Sequence, residues 1–225
     1  MTYEDFYSNY SKIMALKAQK YFTKIPILKS YTDEEKTLQS ETVLKLLEKI
    51  KKHSKILDMG AGNRNFKNLL DKIGINSIYK SFDIDKNNFH DYYSIEEITE
   101  RFNHVILFNL LEHLPFETGL EYLTKAQNVL ENNGLLFISV PNIWHPNHMW
   151  RCDITHIKPY PFQDLFALLS YMGFKEIEMY RIYHRPYRFS LKHYLINKLK
   201  IILHEIMELD YTKDMWFIAK KQLPI

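Results

Sequence analysis

The spacing of apolar positions along the chain changes near residue 50. Before that point, apolar residues recur about every three to four positions, which predicts an amphipathic helix over residues 3–21 and a second helix over residues 32–50. After it, short apolar runs bounded by glycine, proline or polar residues alternate with helical segments. Such runs are typical of strands that are buried on both faces of a sheet.

Strands that alternate with helices indicate an α/β fold with a parallel, doubly wound sheet and helices on both faces. Residues 86–100 are irregular and leave room for one short strand. The predicted strands are KILDMG (55–60), SIYKSFDID (77–85), NHVILFNLL (103–111), LLFISVPN (135–142), KEIEMYRIY (175–183) and DMWFIAKK (214–221), and the predicted helices are residues 66–75, 117–134, 161–174 and 189–209.

Composition and charge indicate the number of domains, the cellular location and the kinds of partner. The 225 residues, 46% hydrophobic and 25% charged, suit one globular α/β domain with terminal additions. The single cysteine, Cys152, cannot form an internal disulfide, and no apolar stretch approaches the ~20 residues that span a bilayer. With no signal-like N-terminus, these features predict a cytoplasmic protein. The net charge of +3 is too small to indicate a nucleic-acid partner.

The most informative segment is ILDMGAGNRNF, residues 56–66. Asp58 ends a strand, Gly60 and Gly62 follow it, and a helix then begins. Glycines at such a turn let a ligand approach the backbone closely, and the helix N-terminus offers free N–H donors. The dinucleotide fingerprint G-x-G-x-x-G fits poorly, because its third glycine would be Asn65.

The segment instead resembles motif I of class I S-adenosylmethionine-dependent methyltransferases, D-x-G-x-G-x-G, with Arg64 at the third glycine. The resemblance implies a Rossmann-like sheet whose last strand lies antiparallel near an edge. It also implies S-adenosyl-L-methionine as cofactor, residues 51–225 as the methyltransferase domain, and residues 1–50 as a helical segment covering the cofactor side. Arg64 is open to three interpretations: contact with the methionine end of the cofactor, contact with a substrate phosphate, or a solvated side chain.

The second motif is SFDID, at the end of the next predicted strand. An acid about 20 residues after a glycine loop commonly accepts both ribose hydroxyls, which favours Asp83 over Asp85. Alternatively, Asp83 caps the following turn. The resemblance further implies that Ile84 packs on the adenine, and Asp91 is a candidate acid on the adenine side.

Two further stretches complete the resemblance. VILFNLLEHLP (105–115) is similar to the family's motif IV, with Asn109 where many relatives have an acid. VLENNGLLFISVPN (129–142) is similar to its helix, glycine, strand and Pro-Asn run. All four motifs occur in the family's order over residues 56–142, which is more specific than any one of them. The resemblance places Asp58, Gly60, Gly62 and Asn109 at the cofactor.

A polar loop follows the strand that ends at Pro141. Ligands of open α/β sheets bind beyond the carboxyl ends of the strands, so this loop is expected at the acceptor. Its segment WRCDITHIKPY (150–160) resembles a D-x-T-H-x-x-x-[YF] segment of sugar-modifying and related small-molecule methyltransferases, some of them associated with bacterial capsule or O-antigen synthesis. Trp144 and Trp150 offer flat surfaces for a sugar ring.

O-Methylation requires positioning of the acceptor and removal of its hydroxyl proton, and a free imidazole titrates near neutral pH. We therefore predict His156 as the base, with Asp153 as its orienting carboxylate. His113 and His145 are the alternative bases. On a purely structural interpretation, Asp153 and Thr155 cap the following turn and His156 only supports the loop.

His145, His148, His156 and Asp153 are residue types that bind metal ions, but we expect no metal site. The histidines of HPNH (145–148) are separated by a proline and no helix sets their spacing, unlike the H-E-x-x-H motif. The magnesium sites of some sugar methyltransferases are rich in carboxylates, which this loop lacks.

The last predicted helix, residues 190–209, combines an apolar face with lysines near its start. We interpret it as a helix packed on the sheet or on the partner subunit of a homo-oligomer, with contact to a membrane surface or an anionic substrate as the secondary interpretation.

The sequence thus predicts O-methylation of a small hydroxylated acceptor, such as a sugar or nucleotide-linked sugar. A methyltransferase for RNA or protein is the first alternative, although no strongly basic face supports it. The second is a non-catalytic cofactor-binding or interaction protein, for which the departures at Arg64 and Asn109 are the only support.

Overall fold

The computed structural model describes residues 1–17, 24–31, 37–146, 149–185, 191–207 and 209–222. Its strands form one seven-stranded sheet in the order β1-β6-β7-β5-β4-β2-β3. The strands are β1 (Ile27–Tyr31), β2 (Lys55–Met59), β3 (Ile78–Phe82), β4 (Phe102–Phe108), β5 (Leu130–Pro141), β6 (Phe174–Arg185) and β7 (Asp214–Lys221).

Helices cover both faces of this sheet. None of those in the described ranges is both long and apolar enough to cross a bilayer. They are α1 (Tyr3–Ser8), α2 (Tyr10–Ala15), α3 (Glu41–Lys49), α4 (Asn65–Lys72), α5 (Phe116–Val129), α6 (Phe162–Tyr171) and α7 (Leu191–Met207), with short 3₁₀ turns at Ile95–Glu97, Leu111–His113 and Met149–Cys152.

Strand β7 is antiparallel to both of its neighbours, β5 and β6, whereas every other pair in the sheet is parallel. This confirms the predicted Rossmann-like arrangement with one antiparallel strand near an edge. The β6–β7 pair is a hairpin whose long connection, residues 186–213, contains α7.

The central strands are buried on both faces, as their unbroken apolar runs predict. In β4, Val105 and Leu107 point into one apolar layer and Ile106 into the other. In β2, Leu57 points into the first of these layers and Ile56 into the second. Because the interior strands are fixed on both sides, the loops at their carboxyl ends start from rigid positions.

The N-terminal segment differs from the prediction of two helices. Helical structure breaks at Asn9, so α1 and α2 replace one continuous helix, and residues 18–21 lie outside the described ranges. Residues 27–31 form β1, an edge strand parallel to β6. Nearby, the buried Arg181 side chain donates through Nε to the Ile25 carbonyl, and its backbone N–H donates to that of Pro26. Pairing with β6, rather than any local pattern, thus selects the strand.

The end of α5 and the region 86–100 also differ from the sequence prediction. Helix α5 ends at Val129 instead of Gly134, and β5 begins at once. Gly134 is required by packing, since a Cβ there would lie 2.8 Å from the Glu131 carbonyl oxygen and 2.9 Å from that of Asn103. In the irregular region 86–100, the possible short strand is reduced to a single bridge between Phe82 and Tyr92.

Candidate active site

The glycine loop leaves the carboxyl end of β2 with backbone that favours glycine. Gly60 and Gly62 have φ angles of 76° and 49°, in the left-handed region. A Cβ on Gly60 would lie 2.7 Å from Cδ1 of Leu110, whereas a Cβ on Gly62 would meet no atom within 4 Å. The first glycine therefore permits close packing on the next loop, and the second faces open space that a ligand can enter.

Arg64, at the third glycine of the motif, also has a left-handed backbone, with φ 60°. This explains why relatives have glycine there. The guanidinium carbon lies 5.3 Å from the centre of the Tyr79 ring and 5.5 Å from that of Phe89. The partly buried guanidinium thus lies against two aromatic rings. Contact with the cofactor or a substrate phosphate stays a prediction.

Asp58 lies buried beneath the glycine loop. Its carboxylate accepts a 2.6 Å hydrogen bond from the Tyr79 hydroxyl. Burial raises the pKa of Asp58 to about 6, although the hydrogen bond from Tyr79 acts in the opposite direction. Asp58 thus links the end of β2 to β3, and its predicted contact with the cofactor stays a prediction.

Asp83 connects two loops at the ends of β2 and β3. One carboxylate oxygen accepts the Gly62 N–H at 2.7 Å, and the other accepts the Asp85 N–H at 3.0 Å, which is the capping contact of the alternative interpretation. Each oxygen keeps acceptor capacity for a further donor such as a ribose hydroxyl. Ile84, expected on the adenine, is largely exposed beside it.

The competing acids are engaged elsewhere. Asp85 accepts hydrogen bonds from Asn87 and Asn88 within its own turn, and these contacts lower its pKa. Asp91 accepts from the Ser81 backbone and from Lys80, which ties its loop back to β3. The geometry therefore favours Asp83 over Asp85 as the ribose acid, and the role of Asp91 on the adenine side stays a prediction.

Asn109 joins the ends of β4 and β5. Its backbone is left-handed, with φ 49°, a conformation that asparagine tolerates better than most residues. Its N–H donates to Ser139 Oγ, and its side-chain oxygen accepts from the same hydroxyl at 2.8 Å. Asn109 thus fixes the end of β4 to the end of β5.

His156 and His113 come together at the same edge of the sheet, their ring centres 4.8 Å apart. The Nδ1 atom of His156 lies 2.7 Å from the Trp150 carbonyl oxygen. A carbonyl can only accept, so Nδ1 carries the proton and Nε2 of the neutral ring has a free lone pair. This is the tautomer that a base acting through Nε2 requires.

His113 is held in a similar way by the acceptor loop. Its Nδ1 lies 2.9 Å from Thr155 Oγ1 and 3.3 Å from the Thr155 carbonyl oxygen. The Thr155 hydroxyl donates to Asp153, so it accepts from His113. Both imidazoles therefore keep Nε2 as the acceptor nitrogen.

Asp153 does not orient His156 through a hydrogen bond to Nδ1, as an orienting carboxylate would. Its Oδ1 accepts from the Thr155 N–H at 2.9 Å and from the Thr155 hydroxyl at 2.6 Å, which is the turn-capping role of the structural interpretation. Its Oδ2 lies 3.9 Å from Nε2 of His156, on the reactive side of the ring. The orienting contact to Nδ1 comes from the Trp150 carbonyl instead.

Glu112 is a member of this cluster that sequence reasoning did not single out. Its side chain is 1% exposed, and neither carboxyl oxygen has a hydrogen-bond partner in the described part of the chain. One oxygen lies 3.9 Å from Nε2 of His113. Burial raises its pKa to about 8, and the charges of Asp214 and Asp153 act in the same direction. The one sequence signal that could have indicated Glu112 is its position in the Leu-Glu-His string, next to His113.

The cluster also has the composition of a metal site. One ligand atom each from Glu112, His113 and His156 lie within 4.8 Å of one another. Of the four residues considered as metal ligands in the sequence, His156 is in this set, His145 and Asp153 are not, and His148 lies outside the described residues. His145 is buried against the Tyr211 ring, and burial followed by the charge of Lys200 lowers its pKa.

A protein-family model described as a methyltransferase domain matches residues 31–178, more than half of the chain. The chain belongs to this family. It is an S-adenosylmethionine-dependent methyltransferase, and S-adenosyl-L-methionine is its cofactor. The open side of Gly62, the facing Asp83 carboxylate and the exposed Ile84 fit that cofactor.

Solved structures agree on the fold. The methyltransferase is similar to a SAM-dependent methyltransferase from Archaeoglobus fulgidus, with 20% identity and a TM-score of 0.64 over 80% of this chain and 91% of that one. It is also similar to phosphoethanolamine N-methyltransferase 2 of Haemonchus contortus, solved with S-adenosyl-L-methionine, with 14% identity and a TM-score of 0.54 over 81% and 52%. No curated protein matches.

Replacing Glu112 by Gln should change how the stability of the methyltransferase depends on pH. Because folding raises the pKa of Glu112 from 4.5 to about 8, its contribution to stability is fully present below 4.5 and is lost as the pH rises to about 8. The wild-type free energy of unfolding should therefore fall over this interval by about 4 kcal/mol more than that of Glu112→Gln. Urea unfolding of both proteins across the interval measures the difference, and parallel curves would contradict the assignment.

Proposed function

We propose that this methyltransferase methylates a hydroxyl oxygen of a small acceptor, such as a sugar or nucleotide-linked sugar. The observation that supports this most is the hydrogen bond from His156 Nδ1 to the Trp150 carbonyl oxygen, which leaves Nε2 free to accept a proton. An alcohol needs such an acceptor during the transfer, because the neutral hydroxyl is a weak nucleophile.

The loop expected at the cofactor and the loops expected at the acceptor lie at one edge of the sheet. The glycine loop follows β2, the loop of Glu112 and His113 follows β4, and the loop of His156 follows β5. In open α/β sheets this edge is where ligands bind. When bound, the cofactor supplies a methyl group on a positively charged sulfur. The chain's own residues then have to orient the hydroxyl and accept its proton.

The histidine pair and the carboxyl beneath it suit that proton transfer. Nε2 of His156 receives the hydroxyl proton, and the ring becomes an imidazolium. Asp153 Oδ2, 3.9 Å from Nε2 of His156, is placed to stabilise that positive charge. The His156 side chain is only 11% exposed, and interactions with a charge on it are stronger there than in water.

The surroundings of His156 favour a flat, hydroxyl-rich acceptor. The Trp150 ring stacks near His156, with centres 6.2 Å apart, and Trp144 is half-exposed in the same loop. In this segment, Trp150 Nε1 and the Tyr160 hydroxyl are buried and have no hydrogen-bond partner among the residues that the structure describes. Ring faces together with unpaired polar groups are typical of sites for polar cyclic ligands.

The test is transfer of labelled methyl groups to a panel of monosaccharides, nucleotide-linked sugars, amino sugars, RNA and peptide. We expect an O-methylated sugar, identified by mass spectrometry, at a rate that chelation of divalent ions leaves unchanged. Products methylated only on nitrogen, or only on RNA or peptide, would contradict the proposal. Loss of activity on chelation would instead assign Glu112, His113 and His156 to a metal ion.

A further inference from the structure

Helix α7 presents a continuous apolar stripe to solvent. Leu191, Leu195, Leu199, Ile202 and Ile206 follow one another at intervals of four, four, three and four residues and are 48% to 76% exposed. At 100° per residue these positions fall within an arc of about 80°. Exposed apolar side chains are ordinary when scattered, but a continuous row marks an interaction surface.

The stripe corrects the sequence interpretation of α7 as a helix packed on the sheet by its apolar face. That face points outward in the described part of the chain. The helix also lies beyond residues 31–178, which match the methyltransferase family. It forms part of the long connection of the β6–β7 hairpin.

The charges of α7 select among the surfaces that could cover the stripe. The sequence of the helix contains three lysines, Lys192, Lys198 and Lys200, and one acid, Glu205. The stripe of a second copy would bring like-charged helices together, whereas an anionic lipid surface complements both the lysines and the apolar row. The Lys198 side chain already lies along the Tyr194 ring, with Nζ 5.2 Å from its centre.

The helix also adjoins the acceptor side of the site. Lys200 Nζ lies 5.4 Å from the centre of the Tyr211 ring, which packs edge-on against His145 in the loop after β5. We propose that α7 lies in the interface of an anionic membrane, with its leucine and isoleucine stripe among the acyl chains, and so holds the methyltransferase at a lipid surface.

Flotation with vesicles tests the proposal. The full chain should bind vesicles of phosphatidylcholine mixed with phosphatidylglycerol at least tenfold more tightly than vesicles of phosphatidylcholine alone, and high salt should weaken the binding. The double variant Leu195→Glu and Ile202→Glu should lose at least tenfold of the affinity for the anionic vesicles. Since both positions are exposed, the variant should fold and bind S-adenosylmethionine normally.

The matched control is Leu44→Glu with Leu47→Glu, which places the same charges at exposed positions of α3. It should bind anionic vesicles within twofold of wild type. Equal loss in both double variants, or no binding by the wild type, would overturn the proposal. Sedimentation equilibrium provides the other decisive outcome: a wild-type dimer that the α7 variant abolishes would assign the stripe to a second copy.

Discussion

Replacing His156 by Ala should lower kcat about 10²–10⁴-fold while S-adenosylmethionine affinity stays within about twofold. His156 is held by the Trp150 carbonyl with Nε2 free, so the substitution removes the proton acceptor but no part of the glycine loop. Steady-state rates, with calorimetry for the cofactor, measure both effects.

Three variants separate this role from a structural one. Asp153→Ala should reduce kcat far less than His156→Ala, because the Trp150 carbonyl orients the ring and Asp153 mainly caps the Thr155 turn. His145→Ala should have little effect on kcat, since His145 lies outside the cluster. A near-normal kcat for His156→Ala, or a loss that tracks its thermal unfolding, would assign His156 a structural role only. His113→Ala, tested in the same assay, then becomes the decisive variant.

The sheet was predictable from sequence to the extent that its strands are buried on both faces. Continuous apolar runs such as ILDM and VILF indicate interior parallel strands wherever they occur. The position of β7 came from family resemblance, because periodicity contains no information on strand order. Strand β1 was missed because Ile27–Tyr31 lies at an edge, and contacts of the distant Arg181 fix its approach.

The candidate site also has one part that the sequence could predict and one part that it could not. The glycine loop is recognisable because its chemistry is local: left-handed backbone and close packing at Gly60 demand glycine whatever the rest of the chain does. The acceptor cluster depends on burial that only the fold creates. Glu112 becomes unusual because its carboxyl is enclosed without a partner, and His156 is oriented by a backbone carbonyl that has no sequence signature.

Replacing Asp83 by Ala should weaken S-adenosylmethionine binding at least tenfold with the fold intact. The side chain is placed to accept the ribose hydroxyls, and each such charge-assisted hydrogen bond is worth about 1.5–3 kcal/mol. The variant also loses the 2.7 Å bond from Gly62 N–H, which holds the glycine loop. Both losses act on the cofactor and neither acts on the histidine cluster. Calorimetric titration with S-adenosylmethionine and with S-adenosylhomocysteine should therefore show similar losses.

The matched control is Asp85→Ala, which removes a carboxylate two residues away that is already engaged by Asn87 and Asn88. Its cofactor affinity should stay within about threefold of wild type, because only a turn is disturbed. Asp83→Asn should fall between the two, since one oxygen can still accept from Gly62 or from a ribose hydroxyl but the amide nitrogen cannot. If Asp83→Ala binds as the wild type does while Asp85→Ala loses tenfold, the ribose belongs to Asp85, and the Asp83–Gly62 contact serves only the loop.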